Sequence, residues 1–280
     1  MTTAANPPRP HANGSSSSVR PVTVPDFVSA RARGVRLTML TAYDYTMARL
    51  LDAAGVDGLL VGDSLGMVVQ GGEDCLAVTM DEMVYHTRLV ARGCRRSLLV
   101  ADMPFMSYQV SPQQATANAG RLVKEGGAHA VKLEGGVRSA AAIAAVVGAD
   151  IPVMGHVGLT PQSVRRLGGF RVQRDEAQLL EDARAVEQAG AFAVVLECVP
   201  AEAAQKITAA LHIPTIGIGA GAGCDGQILV THDLLGLFDE LRPRFVKQYA
   251  DLGRDIVRAA EAYCREVRDG TFPAAEHSFR

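Results

Sequence analysis

Short apolar runs alternate with longer polar stretches along most of the chain. From Val24 onward the apolar runs are rich in Val, Leu and Ile, and the stretches between them carry alanines and charges at helical spacing. This alternation is typical of strand–helix units built around a parallel sheet. The predicted strands are residues 36–42, 58–62, 98–101, 130–133, 152–157, 193–196, 214–218 and 227–230.

The number of strand–helix repeats decides the fold class. Eight repeats favour a closed (β/α)8 barrel over an open doubly wound sheet, which is the second interpretation. We expect residues 23–280 to form a single barrel domain that ends in a C-terminal amphipathic helix over residues 244–268. This helix is expected to pack on the barrel or on another subunit. Residues 1–22 are rich in proline and serine, so they are predicted to be a flexible tail.

Helix starts are visible between the predicted strands. Thr79 followed by Glu82 has the spacing of a capping box, in which each residue bonds the backbone of the other. Ser111 followed by Pro112 places a proline at the first helical position. Both signals predict helices after the second and third strands.

Composition narrows the class of protein. The chain has 280 residues, and 28 basic against 30 acidic side chains give a formal net charge of −2. The charges are scattered, so no surface for nucleic acid or a membrane is predicted. The longest apolar stretch, residues 140–149, is too short to span a membrane, and a cytoplasmic location is expected. Five separated cysteines without a CxxC pair argue against a disulfide framework or a zinc knuckle.

Polar side chains stand at the carboxyl ends of the predicted strands, where barrel enzymes build their active sites. Because parallel strands end at the same rim, we expect these groups to meet in one mouth. They are Tyr43, Asp44, Asp63, Ser64, Asp102, Lys132, Glu134, His156 and Glu197.

A carboxylate trio among these groups predicts a metal site. Any one of Asp63, Asp102 and Glu134 alone is simply interpreted as a helix cap or a solvated turn. Together they would repel one another unless a cation or raised pKa values relieved the repulsion. Oxygen ligands suit a hard divalent ion, and we therefore predict bound Mg²⁺.

Other members of the set have alternative interpretations. Lys132 and Glu134 face the same side of an extended strand, either as a structural ion pair or with Lys132 receiving a substrate carboxylate. His156 is interpreted as a hydrogen-bonded packing residue in preference to a ligand, although it is kept with Tyr43 as site-lining. Asp44 is equally a helix cap.

The glycine-rich run at residues 217–226 contains a G-x-G-x-x-G match. It leads into an apolar strand instead of opening a helix, so a dinucleotide site is not favoured. A tight glycine turn near the mouth is expected, with phosphate contact as the minor alternative.

Longer motifs resemble one known family. The stretches within residues 41–230 are TAYDY, VGDSLGMVVQG, ADMPFMSY, VKLEGG, PVMGHVGLTPQSV, LECVP, IPTIGIGAG and CDGQILV, and the chain closes with FPAAEHSF at residues 272–279. In this order they closely resemble the 3-methyl-2-oxobutanoate (ketopantoate) hydroxymethyltransferase family. Two stretches depart from its pattern: residues 174–176 lead almost directly into the next helix, and Gly72 and Ala77 stand where relatives have what looks like histidine and proline.

The resemblance implies a barrel of the phosphoenolpyruvate/pyruvate type and a specific reaction. Such enzymes transfer a hydroxymethyl group from 5,10-methylenetetrahydrofolate to 3-methyl-2-oxobutanoate (α-ketoisovalerate), giving 2-dehydropantoate in pantothenate biosynthesis. By resemblance, Asp63 and Asp102 bind Mg²⁺ and the keto acid, Glu134 completes the metal environment, and Ser64 and Lys132 hold the substrate. A homo-oligomer, often a decamer, is also implied.

The chemistry of the residues agrees with this reaction. A cation that chelates a 2-oxo acid stabilises the enolate formed when the C3 proton leaves, and a carboxylate in a dry pocket can take that proton. Glu197 ends a different strand from the metal carboxylates, so it is the candidate base, in agreement with the proton acceptor that the resemblance implies.

Two alternatives remain at this level. One is a Mg²⁺-dependent 2-oxo-acid lyase or mutase of the isocitrate lyase or phosphoenolpyruvate mutase type, although no KKCGH-like segment is present. The other is a non-catalytic barrel that only binds a keto acid, which the presence of Lys132, Glu134 and Glu197 disfavours.

Overall fold

The computed structural model describes residues 20–240 and 243–279. Within them, eight parallel strands close into a barrel in sequence order, and β1 pairs with β8 to complete the ring. The predicted (β/α)8 barrel is therefore confirmed. The strands are Leu37–Thr41 (β1), Gly58–Val61 (β2), Leu98–Asp102 (β3), Ala130–Glu134 (β4), Val153–Gly158 (β5), Ala193–Glu197 (β6), Thr215–Ile218 (β7) and Gly226–Leu229 (β8).

Helices surround this barrel and lie between most pairs of strands. They are Val24–Ala32 (α1), Tyr45–Ala53 (α2), Leu65–Val68 (α3), Met80–Gly93 (α4), Pro112–Lys124 (α5), Ala140–Val147 (α6), Val164–Leu167 (α7), Glu176–Gln188 (α8), Ala201–Ala210 (α9), Thr231–Leu235 (α10) and Leu252–Arg268 (α11). The predicted caps are confirmed: Thr79 and Glu82 form a capping box at α4, Ser111 caps α5, and Asp44 caps α2 by accepting from the Met47 N–H at 2.9 Å.

The connection between β7 and β8 corrects the expected helix after every strand. Residues 219–225 join the two strands without a helix. This segment is glycine-rich and too short for a helix with a turn at each end, and it offers no apolar stripe to bury. The predicted glycine turn is found here, with Gly219 at φ +63° and Gly221 at φ +76°, conformations that glycine adopts without strain.

Inward-facing side chains fill the lower part of the barrel, and α1 closes its N-terminal end. Alternate residues of each strand point inward, as in Met39, Val100 and Ile216. Phe27 of α1 is fully buried against them and meets Phe192 edge to face, with ring centroids 6.2 Å apart. The open end of the barrel is therefore the carboxyl-terminal rim.

The two ends of the chain differ from the sequence prediction in part. The C-terminal helix begins at Leu252 and not at residue 244. Residues 244–251 run irregularly beside the barrel mouth, because Phe245 packs over Gly219 in the cavity wall. None of its residues is buried. Residues 1–19 of the predicted flexible tail lie outside the described residues, so that expectation stays a prediction. No helix in the described ranges has the length and apolarity needed to cross a membrane.

Candidate active site

A cavity of about 390 Å³ opens at the carboxyl-terminal rim of the barrel. This volume lies in the range usual for small-molecule sites, about 300–1,000 Å³. The structure brings most of the sequence-predicted site residues to its wall: Asp63, Ser64, Asp102, Lys132, Glu134, His156 and Glu197. Tyr43 and Asp44 are the exceptions. Tyr43 is buried with its hydroxyl 2.9 Å from Ser64 Oγ, and the exposed Asp44 caps α2 and does not line the cavity.

The strands explain why these side chains converge. Lys132 and Glu134 are two residues apart in β4, so both point into the barrel. Asp102 and Glu197 are the last residues of β3 and β6. Asp63 follows the end of β2, and its backbone N–H donates to Asp102 Oδ2 at 3.0 Å. The first two acidic groups are thereby held side by side.

Lys132 is the central cation of the site. Its Nζ lies 2.8 Å from Asp102 Oδ1 and 3.1 Å from His156 Nδ1. The closest ion pair of Lys132 is therefore with Asp102, on the neighbouring strand, and not with Glu134 as one interpretation of the sequence had it. Because the ammonium donates to Nδ1, that nitrogen accepts, and the proton of the neutral imidazole resides on Nε2.

His156 stands between the two halves of the acidic group. Its Nε2 lies 3.1 Å from Glu197 Oε2, and its Nδ1 lies 3.5 Å from Glu134 Oε1. The distance to Glu197 is short, but Nε2 has no aligned hydrogen-bond acceptor within the described part of the chain. Burial lowers the pKa of His156 well below its usual range, and the positive charge of Lys132 lowers it further. The imidazole is therefore neutral.

The acidic side chains are all shifted toward the protonated form. Burial raises the pKa of Asp63 and, well above its usual range, that of Glu134, and it raises the pKa of Asp102 to about 6 and that of Glu197 to about 7. For all four groups the charge of Lys132 works in the opposite direction. Burial alone would lower the pKa of Lys132, but Asp102, Glu134 and Asp63 raise it overall. One lysine thus faces four carboxyl groups at the floor of the cavity, and the other cation that lines the cavity in the described residues is the exposed Arg244.

The carboxylates of the floor do not form a complete ligand cage for a divalent cation, but two of them are paired as Mg²⁺ requires. In the described residues no three His, Cys, Asp or Glu side chains converge as a ready-made cage for a metal. Mg²⁺, however, is usually held by one or two carboxylates, with water and substrate oxygens completing the octahedron. The paired Asp63 and Asp102, beside Glu134 and short of positive charge, meet that requirement.

Gln162 is a site residue that the sequence reasoning missed. It is buried in the short 3-10 turn after β5, and its Nε2 donates to Asp63 Oδ2 at 2.8 Å and to the Met103 carbonyl at 2.9 Å. Its backbone N–H donates to Glu134 Oε2 at 3.0 Å. Its Oε1 accepts from the Tyr108 hydroxyl at 2.7 Å. A single residue therefore orients two of the three carboxylates. Its place just after a strand end was the available signal.

The upper part of the cavity is mostly aromatic and aliphatic. Phe170, Val172, Phe238 and Phe245 line it above the polar floor. Phe245 packs over Gly219, where an added Cβ would lie 2.7 Å from the phenyl ring. Glycine is thus required at that position for the ring to reach the mouth. The site therefore has two chemically distinct levels, a charged floor and an aromatic entrance.

Asp233 is the second site residue that sequence reasoning missed. It lies in the first turn of α10 and lines the same cavity at its upper level. Burial raises the pKa of its carboxyl group to about 6. No sequence motif marked it, because the run that precedes it was interpreted only as a strand.

The family model and the curated relatives that match this chain carry the same enzyme description. A model of the ketopantoate hydroxymethyltransferase family matches residues 21–275. The chain is 59% identical over 262 residues to 3-methyl-2-oxobutanoate hydroxymethyltransferase of Clostridium novyi (strain NT), covering 92% of this chain and 95% of the relative. It is 60% identical over 263 residues to the protein of the same description from Moorella thermoacetica (strain ATCC 39073 / JCM 9320), covering 92% and 98%.

Solved structures share the fold at much lower identity. Phosphonopyruvate hydrolase in complex with oxalate and Mg²⁺ has a TM-score of 0.61 at 16% identity, covering 91% of this chain and 93% of that one. A 2,3-dimethylmalate lyase, described as a member of the PEP mutase/isocitrate lyase superfamily, has a TM-score of 0.60 at 19% identity, covering 91% of each chain. These similarities concern the barrel alone.

Proposed function

The chain belongs to the ketopantoate hydroxymethyltransferase family, and we propose that it transfers the one-carbon unit of 5,10-methylenetetrahydrofolate to 3-methyl-2-oxobutanoate through an enolate. It is a hydroxymethyltransferase of pantothenate biosynthesis, as its relatives are named. The proposal concerns the folate donor, the Mg²⁺ ion and the role of each residue.

One observation carries the mechanism. Glu197 faces the same cavity as Lys132, Asp63 and Asp102, yet it ends a separate strand and has the raised pKa that a general base requires. A carboxylate with a pKa of about 7 is ionised in a useful fraction at neutral pH and is basic enough to accept a carbon-bound proton from an activated ketone.

The polar floor suits a 2-oxo acid. The Lys132 ammonium and the Ser64 hydroxyl are the groups that would hold the substrate carboxylate. Asp63 and Asp102 would hold Mg²⁺, with Glu134 completing its environment. When bound, this ion supplies Lewis-acid stabilisation of the negative charge that develops on the ketone oxygen. The apolar side chains of Val195 and Ile218 lie beside the floor, where they would contact the branched alkyl group.

Glu197 starts the reaction by removing the C3 proton of the keto acid. His156, held by Lys132 on one side, faces Glu197 on the other, and so limits the directions in which the carboxylate can point. Because the neutral imidazole does not neutralise the carboxylate, the base keeps its negative charge for the proton transfer.

The transfer of the one-carbon unit balances with one water. C3 of the substrate forms a bond to the methylene carbon, and water supplies the hydroxyl oxygen, since the methylene group carries none. The two bonds from the methylene carbon to nitrogen break, and the nitrogens take up the proton from C3 and one from water as tetrahydrofolate leaves. Holding both reactants in one closed site contributes roughly 7–11 kcal/mol to such a step.

A single-turnover assay tests this function directly. The purified protein is mixed with 3-methyl-2-oxobutanoate, 5,10-methylenetetrahydrofolate and Mg²⁺, and we expect one equivalent of 2-dehydropantoate per site together with tetrahydrofolate. Binding of the keto acid without any product would contradict the proposal and favour a barrel that only binds the acid.

We also infer that the protein is a homo-oligomer. The 17-residue helix α11 carries exposed apolar side chains, including Ile256, Val257 and Tyr263, and buries none of them in its own barrel. A second copy of the chain is the occupant that the family resemblance implies, and a decamer is the implied assembly. Light scattering of the wild type and of Ile256→Glu tests this, and a monomeric wild type would contradict it. The cytoplasmic location stays a prediction.

A further inference from the structure

Asp233 is an acidic side chain in the mouth that the mechanism above does not use. It lines the cavity that contains Glu197 and Lys132, and it lies in the connection after β8, as Phe238 and Phe245 do. Burial is the one cause that raises its pKa. In residues 20–240 and 243–279 this carboxylate has neither a hydrogen bond nor an ion pair. It is a half-buried acceptor without a donor.

The surroundings of Asp233 restrict what can supply that donor. Phe238 and Phe245 line the same cavity, together with Phe170 and Val172, each nearly half exposed. The exposed Arg244 also lines it, but no ion pair between Arg244 and Asp233 is found in the described residues. Aromatic and aliphatic walls favour a flat ring system that lays its faces against them and keeps its polar groups at its edges. A partner for the carboxylate in this setting is a planar group with two parallel N–H donors, which pairs with both carboxylate oxygens.

We propose that Asp233 anchors the pterin ring of the folate by accepting hydrogen bonds from its N3–H and its 2-amino group. This inference rests on the proposed function, which requires a reduced folate in the same cavity. The pyrimidine edge of the pterin offers two parallel N–H donors, and its bicyclic face suits the phenylalanine-lined wall. N5, which carries the transferred carbon, lies on the other ring of the bicycle, so the anchored edge is not the reacting one.

The position of Asp233 agrees with the two levels of the cavity. Glu197, Lys132 and Asp102 occupy the floor, where the keto acid is expected, and Asp233 stands on the connection after β8 at the entrance. The keto acid therefore leaves Asp233 uncovered, and the second substrate is the one that reaches it. Asp233 is thus assigned to recognition of the folate and not to the chemistry at C3 of the keto acid.

Variants of Asp233 separate recognition of the folate from removal of the C3 proton. For Asp233→Ala we expect the KM for 5,10-methylenetetrahydrofolate to rise roughly 10- to 100-fold, as for loss of hydrogen bonds to a charged group. The KM for the keto acid and the rate of C3 hydrogen exchange in deuterated water without folate should stay at wild-type values. Asp239→Ala, which removes the same charge at an exposed position on the following loop, is the matched control.

A modified folate gives a second measurement, whose result would not change if Asp233 were only a structural residue. The probe is 5,10-methylenetetrahydrofolate in which a methyl group replaces the 2-amino group. The wild type should use this analogue less well by a similar factor, whereas Asp233→Ala should no longer distinguish the two donors. Equal discrimination by both proteins, or an unchanged folate KM in Asp233→Ala, overturns the assignment.

The outcome also separates this inference from the proposed function. A wild-type protein that neither exchanges the C3 hydrogen nor forms product overturns both. Normal exchange and normal product formation in Asp233→Ala, with an unchanged folate KM, overturn the role of Asp233 alone. A fall in thermal stability of Asp233→Ala with unchanged folate affinity likewise assigns the carboxylate to a structural pair and overturns the inference.

Discussion

Nε2 of His156 lies 3.1 Å from Oε2 of Glu197, while Nδ1 of the same ring lies 3.1 Å from the ammonium of Lys132. The ring, on β5, thereby lies between the cation on β4 and the carboxylate at the end of β6. Because the imidazole is neutral, Glu197 is positioned without being paired to a positive charge. This relationship is the basis of the first two predictions.

Glu197→Gln should bind the keto acid and Mg²⁺ normally but lose turnover, because an amide cannot accept the C3 proton. Removal of a general base typically costs about 10²- to 10⁴-fold in rate. The measurement is C3 hydrogen exchange of 3-methyl-2-oxobutanoate in deuterated water, followed by NMR. Glu202→Gln, an exposed change on α9, is the control. Exchange at the wild-type rate in Glu197→Gln would remove Glu197 from this role.

The activity should fall on the acid side of neutrality. Burial raises the pKa of Glu197 from 4.5 to about 7, and only the ionised form is a base. The value of kcat/KM, which reports groups of the free enzyme, should therefore decline about tenfold per pH unit below about pH 7. The residual activity of Glu197→Gln should lack this limb. A wild-type profile that stays flat down to pH 5 would contradict the assignment.

Removal of the divalent cation should abolish activity, and its effect on stability should depend on pH. Asp102 and Glu197 have higher pKa values in the folded than in the unfolded protein, so the folded state binds more protons between about pH 4 and 7. Without metal, stability should fall as pH rises through that window. Mg²⁺ binds the ionised carboxylates, so the rise in Tm on adding Mg²⁺ should be larger at pH 8 than at pH 5.

Asp63→Asn is the matched variant for this experiment. It removes one negative charge from the crowded floor, so its metal-free Tm should equal or exceed that of the wild type. It should also lose most of the increase that Mg²⁺ produces. An equal Mg²⁺ effect in both proteins would place the ion elsewhere.

Gln162→Leu should weaken metal binding while the fold persists. The substitution removes the amide that donates to Asp63 Oδ2 but keeps the backbone N–H that donates to Glu134. Loss of such an orienting hydrogen bond typically lowers metal affinity by about 10- to 100-fold. The affinity for Mn²⁺, measured by electron paramagnetic resonance without substrate, is the readout. Gln178→Leu, on the exposed face of α8, is the control and should bind Mn²⁺ like the wild type.

The sequence predicted the barrel and most of its floor because both follow from local patterns. Apolar runs mark buried strands, and the residue after each run faces the rim, which is sufficient to name Asp102 and Glu197. Helix caps such as Thr79 are equally local. These features depend on positions that are close together along the chain.

Features that depend on distant parts of the chain were missed or misjudged. Gln162 contacts Asp63, a residue far away in sequence, through an amide that carries no charge and has no periodic position. The ion pair of Lys132 runs across strands to Asp102, and not along its own strand to Glu134. The absent helix between β7 and β8 was hidden because a short glycine-rich segment can connect parallel strands directly.

The closure of the barrel at its N-terminal end by α1 has a kinetic consequence. Phe27 is fully buried and approaches Gly58 so closely that an added Cβ there would lie 3.0 Å from its ring, so in the described residues this end of the barrel is packed. Both reactants must then enter the cavity through its opening at the carboxyl-terminal rim. The keto acid binds at the floor of the cavity, so it has to enter before the folate covers it. For the same reason tetrahydrofolate has to leave before 2-dehydropantoate. Initial-rate measurements should accordingly give an ordered and not a random pattern.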